Sequence, residues 1–130
     1  MKNRIIIIVL LLCGLTLNAQ TDSKNGTEYK LKGKLINGFD GLTPSCGILA
    51  WVTVVEFEIL DFSYPEYKNK RIPVIFTCPN SKMSKSFKVG EIYELTLTDQ
   101  NPAKFEWTMY ESTKKILNSY KNNKYWYSVR

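Results

Sequence analysis

The sequence predicts an all-β domain, a small antiparallel barrel of five or six strands with at most one short helix. Three observations lead there. Apolar and polar residues alternate with period two in one segment after another. The segments are short and are separated by Gly, Pro and Asn turn signals. A single stretch near the C-terminus, "ESTKKILNSY", reads as a short helix, and there is no internal repeat or low-complexity run in the 130 residues.

The chain opens "MKNRIIIIVLLLCGLTLNAQ". Lys2 and Arg4 form a basic start, Ile5 to Leu17 is apolar, and Ala19 is a small residue before Gln20. That order predicts a cleavable signal peptide over residues 1–19 and a single domain over 20–130, secreted or periplasmic. The apolar run of 13 residues is too short to span a bilayer. The rival reading is a lipoprotein cut at Cys13, although Leu12 is large for the position before a lipidated cysteine.

The first predicted strand is "TEYKLKGKLI", with Thr27, Tyr29, Leu31, Gly33 and Leu35 on one face and Glu28, Lys30, Lys32 and Lys34 on the other. Asn37-Gly38 and Asp40-Gly41 then signal turns. The second runs from Ile48 to Leu60 and changes character midway. Its start is apolar on both faces, with Leu49, Trp51 and Val55 on one and Ile48, Ala50, Val52 and Val54 on the other. Further on, Phe57 and Ile59 point inward while Glu56 and Glu58 point out. Such a strand lies under a helix or loop at its start only.

"SYPEYKNKR" is polar and turn-like, and "IPVIFTCP" is a third strand with Ile72, Val74, Phe76 and Cys78 on one face. Pro73 has no N–H for a ladder and belongs at an edge or a strand start. "NSKMSKSFKVG" reads as a basic connector, and "EIYELTLTD" as a strand with Tyr93, Leu95 and Leu97 inward. "DQNP" is a turn into "KFEWTMY", which predicts a hairpin between the strands starting at Glu91 and Lys104. "KYWYSV" is a last strand. The expected core is Trp51, Val55, Phe57, Val74, Phe76, Leu95, Leu97, Phe105 and Trp107.

Cleavage after Ala19 leaves two cysteines, Cys46 and Cys78. An even count in an oxidising compartment predicts a disulfide. Closing that loop removes about 3.5 kcal/mol of unfolded-chain entropy. The spacing is too long for a CxxC redox unit, and no histidine exists to serve as a base or extra ligand.

Loss of the leader takes Lys2 and Arg4, so 16 basic against 12 acidic side chains leave +4. That charge is spread along the chain without the clustering of a nucleic-acid footprint. The absence of histidine removes the commonest general base and the triads that need one. The remaining acid–base candidates are Glu56 and Glu58, about 7 Å apart on one strand face, and they define an alternative reading as a carboxylate hydrolase. Their plainer reading is a solvated outer face. Asp61 and Glu66 lack the spacing of a calcium loop, and no cofactor or metal site is expected. Asn25-Gly26-Thr27 is a formal glycosylation sequon.

The functional hint is aromatic. "NSYKNNKYWYSVR" interleaves Tyr120, Tyr125, Trp126 and Tyr127 with Lys121, Lys124 and Arg130. Exposed aromatics beside amides and cations suit a glycan, a peptide or another protein. The competing reading is a terminal strand that closes the barrel with its tyrosine hydroxyls at the wet rim. Together these features predict an exported, non-enzymatic binding or structural module with a protein or glycan partner.

Cys78-Pro79 at a strand end, followed by Val89, Gly90 and Tyr93 opening the next strand, resembles the netrin-like pattern, over about 50 residues from Cys46 to Leu97. That group includes the tissue inhibitors of metalloproteinases, and the resemblance implies an OB-like barrel and a second alternative, protease inhibition. Those inhibitors chelate zinc through the free amine and carbonyl of an N-terminal cysteine. Here about 26 residues, including the strand from Thr27 to Ile36, stand between the cleavage site and Cys46, so that mechanism is not expected. The "LNAQ" leader ending also resembles exported proteins of the Bacteroidetes.

Overall fold

The structure, a computed structural model, describes residues 26–39, 46–103, 106–121 and 124–129. The leader with Cys13, the sequon asparagine, Asp40-Gly41, Phe105 and Arg130 lie outside these residues.

Among the described residues six strands and two short helices follow one another. Strands β1 (Glu28–Asn37), β2 (Ala50–Phe62) and β3 (Arg71–Thr77) precede helix α1 (Ser81–Ser86). Then come β4 (Ile92–Thr98), β5 (Trp107–Thr108), helix α2 (Glu111–Ser119) and β6 (Tyr127–Ser128). β1 pairs antiparallel with both β2 and β4, β2 with β3, and β4 with β6. β6 lies parallel to β3 and completes the circuit. Five strands therefore close a barrel, and the order β4-β1-β2-β3 is a Greek key. The expected small barrel is present, but two of its features need correction. It is mixed, since the β3–β6 and β2–β5 pairings are parallel, and two short helices, rather than one, stand among the described residues.

The alternation read in the sequence sorts the strand residues between two apolar clusters. Leu31, Leu35, Val55, Phe57, Ile72, Val74, Phe76 and Leu97 fill the barrel with Trp126, and Leu95 packs against them partly buried. Val52 and Val54 face the other way, into a second cluster with Ile75, Leu117 and Tyr127. The two-sided start of β2 is thus covered by α2, as expected, with Trp107, Met109 and Ile116 adding partial cover. Each fully buried side chain of this kind contributes about 1.5–3 kcal/mol. Trp51 is half-buried, stacked on Tyr110 at 4.9 Å. The expected inclusion of Ile48 and Leu49 in β2 is corrected: both are exposed and precede the strand.

The hairpin expected between β4 and the segment before α2 does not form. Both edges of β4 are occupied, by β1 and by β6. β1 reaches β2 only as far as Asn37 opposite Glu56. That leaves the start of β2 open on the same side, and β5 pairs there, Ala50 with Trp107 and Trp51 with Thr108.

Pro73 is buried within β3, and the register explains how. The Ile59 N–H donates to the Lys70 carbonyl and the Cys78 N–H to the Trp51 carbonyl, both at 2.8 Å. Pro73 therefore falls at a non-hydrogen-bonded pair with Glu56, its nitrogen turned away from β2. On that side the Ile75 N–H donates to the Trp126 carbonyl at 2.8 Å, so Pro73 lies just beyond the chain leading into β6.

Cys46 and Cys78 form a disulfide with 5.3 Å between their Cα atoms. The bridge ties the segment before β2 to the end of β3, beside the Trp51 N–H, which lies 3.2 Å from Cys46 Sγ. α1 occupies what reads as a connector. Asn80 caps it by accepting from the Met83 N–H at 2.8 Å. Only Met83 of its residues packs against the barrel core, partly buried. Among the described residues no helix is long and apolar enough to cross a membrane.

A candidate ligand-binding cleft

The four C-terminal aromatics do not share one surface. Trp126 is 1% exposed and Tyr127 5%, whereas Tyr125 is 46% exposed. Alternation places neighbouring residues on opposite sides of the last strand. Trp126 enters the barrel end, and Tyr127 enters the cluster under α2. Tyr125 stays outside with its ring 6.4 Å from Trp107. The structure thus realises the strand-closing role for two of the four.

Trp126 sits in a ring of aromatic side chains. Phe62 and Tyr64 lie 5.1 Å from it and Tyr29 5.4 Å, with Tyr67 at 6.2 Å. Edge-to-face packing of this kind is favoured because ring edges are positive and ring faces negative. The Trp126 indole N–H is buried and has no hydrogen-bond acceptor among the described residues.

A cleft of about 760 Å³ opens over this end of the barrel. Tyr64 and Tyr67 line it from the β2–β3 loop, Tyr120 from the end of α2, and Trp126 from the approach to β6. Lys68, Lys121 and Lys124 also line it, with Glu66 as the acidic member. Tyr120 and Trp126 therefore do meet at one site, although Tyr125 and Tyr127 lie elsewhere.

Hydrogen bonds hold the tyrosines. Tyr64 donates to Glu66 Oε2 at 2.6 Å, and Tyr67 to the Arg71 carbonyl at 2.8 Å. Tyr120 donates to Glu56 Oε1 at 2.6 Å. Partial burial, reinforced by the Glu56 carboxylate, pushes the Tyr120 phenol well above its ordinary pKa. The bond to Glu66 raises that of Tyr64. Lys124 Nζ lies 3.2 Å from Asp99 Oδ2 and 5.0 Å from the Tyr64 ring centroid. That contact with Asp99 is the main cause holding the Lys124 pKa above its ordinary value.

Glu56 and Glu58 lie on the outer face of β2. Glu56 accepts from Tyr120 and, through Oε2, from Asn37 Nδ2 at 3.2 Å. Glu58 is exposed and stands opposite Arg71. Neither lines the cleft, nor a second one of about 480 Å³ bounded by Lys30, Lys32, Asp61 and Glu94. Asp61 and Glu66 fall on different clefts. Among the described residues no group of three or more Cys, Asp or Glu is placed to hold a metal ion.

Tyr64 and Tyr67 were hidden in a segment that reads only as a turn. The available signal was two tyrosines flanking Pro65-Glu66 in an otherwise polar loop, directly after a strand ending in Phe62. No protein family, curated protein or solved structure matches the chain.

Proposed function

We propose that the protein is an exported, non-enzymatic binding module built on an OB-type barrel, with its ligand seat in the cleft above Trp126. The observation that carries this reading is the meeting of Tyr64, Tyr67 and Tyr120 with three lysines in one concavity. Clefts of this size with aromatic walls and a few placed polar groups are the usual form of small-ligand sites. The OB-type assignment is supported by the closed five-strand Greek key. The netrin-like kinship rests on Cys78-Pro79 closing β3 and on the Val89, Gly90, Tyr93 turn into β4, in which the Tyr93 hydroxyl accepts from the Lys88 N–H at 2.7 Å. Export is supported by the leader and by a disulfide suited to an oxidising compartment. No hydrolytic role is assigned to Glu56, because both its oxygens are engaged by Asn37 and Tyr120.

Calorimetric titration of the exported chain with a panel of soluble oligosaccharides and short peptides tests the seat. A ligand from the panel should bind, lose affinity in Tyr64→Ala, and keep it in Glu58→Gln. Binding that survives Tyr64→Ala unchanged, or no binding across the panel, overturns this assignment of the cleft.

A further inference from the structure

We propose that the cleft selects an anionic saccharide, a short oligosaccharide carrying carboxylates on its rings. This rests on the reading of the cleft as the ligand seat and adds the chemistry of the occupant. Charge is the first argument. Three lysines line the cleft against one glutamate. Lys124 is already paired with Asp99 at 3.2 Å. Lys68 donates to the Pro65 carbonyl at 3.0 Å and has no carboxylate partner among the described residues. Lys121 lines the same space, is exposed, and likewise has no carboxylate partner there. Two lysines of the lining thus have no carboxylate partner among the described residues, a charge balance that favours an anion.

The floor supplies the second argument. Trp126 lines the cleft and packs against Tyr64 and Tyr67, so the base of the site is an aromatic surface suited to a ring with one apolar face and polar edges. Preorganised walls are the third. The hydroxyls of Tyr64, Tyr67 and Tyr120 are each bonded to the protein itself. Their rings are therefore fixed surfaces for the apolar face of a sugar, and little side-chain freedom is lost on binding. An extended peptide fits less well. Strand addition needs a row of open backbone N–H and C=O groups, and this cleft is walled by a loop and a helix end.

The test titrates the exported chain with trigalacturonate, a mannuronate trimer, sialyllactose, the methyl ester of trigalacturonate and a hexapeptide of glutamates. Affinity is read by calorimetry, and the site by the Trp126 indole N–H resonance. At least one acidic saccharide should bind about tenfold tighter than the neutral ester and shift the Trp126 indole signal. Lys121→Gln, an exposed change that leaves the fold intact, should weaken it severalfold. If the neutral ester binds as tightly, or the acidic peptide binds better, through the same indole shift, this inference fails while the cleft remains a ligand seat. If no acidic saccharide moves the Trp126 signal, the inference is overturned as well.

Discussion

Gly33 points into the barrel at a register shift between β1 and β2. A Cβ there would stand 3.0 Å from Phe57 Cβ and 3.2 Å from the Glu58 carbonyl oxygen. The close approach of the two strands requires a residue without a side chain, and Phe57 is too tightly packed to move aside. Gly33→Val should therefore destabilise the domain by about 1–3 kcal/mol, read as a lower denaturant midpoint at unchanged slope. Tyr120 offers a pH-dependent counterpart. Its folded pKa lies above the ordinary value of 10.0, chiefly through burial and then through Glu56. A raised pKa favours the protonated phenol in the folded state, so the associated stability is whole below about pH 10 and is lost as pH rises further. Tyr120→Phe should lose about 1 kcal/mol at neutral pH. Above pH 10 the gap between variant and parent should narrow in denaturation curves taken pH by pH. A gap that stays constant through that range would show that the Tyr120–Glu56 bond is not formed in solution.

Helix α2 shows how a whole element depends on one face. Thr113 and Leu117 are its buried residues, and Leu117 meets Val52, Val54, Ile75 and Tyr127. Glu111 in its first turn complements the helix dipole, but Tyr110 supplies no side-chain cap. Packing, not local propensity, holds it. Leu117→Ala should cost about 2–5 kcal/mol. Hydrogen exchange should speed up in α2 and β5 more than in β1, which contributes no residue to this cluster. The same element marks how far the sequence was legible. Apolar residues on both faces at the start of β2 announced a covering helix or loop, and the segment 111–120 read separately as a helix, with no signal in the sequence that joins the two. The partner of β5 was not legible, because a run of two paired residues carries no signal of which edge is vacant. That edge is set by the length of β1, a property of another strand. α1 was missed because its only core contact is Met83, so it has no apolar period to detect. At the cleft, Tyr120 and Trp126 were visible as an aromatic run. Tyr64 and Tyr67 reach it only through the return of the β2–β3 loop over the barrel end.

On the scale of the whole molecule, the disulfide and β1 decide what the barrel can become. Cys46 and Cys78 are 32 positions apart, and the closed loop contains all of β2 and β3. Replacing both cysteines by serine should cost about 3 kcal/mol, and non-reducing mass analysis of the natively produced parent should show no alkylatable thiol at either position. The bridge also bears on protease inhibition. Zinc chelation by a cysteine amine requires that amine to be a chain terminus, since an amide nitrogen is a poor ligand. Cys46 would become one only if the chain were cut just before it, and that cut would release β1. Yet β1 is hydrogen-bonded on both edges, to β2 from Leu31 opposite Phe62 to Asn37 opposite Glu56, and to β4 from Glu28 opposite Thr98 to Lys34 opposite Ile92. It also contributes Leu31 and Leu35, each 1% exposed, to the core. Removing a strand that joins two others opens the barrel and exposes its interior. A shared barrel does not carry a shared function when the functional group is absent. The natively produced chain should accordingly leave the rate of a zinc endopeptidase unchanged, and its N-terminal sequence should not begin at Cys46. A natural start at Cys46 accompanied by tight inhibition would overturn this, and it would require the barrel to survive without β1.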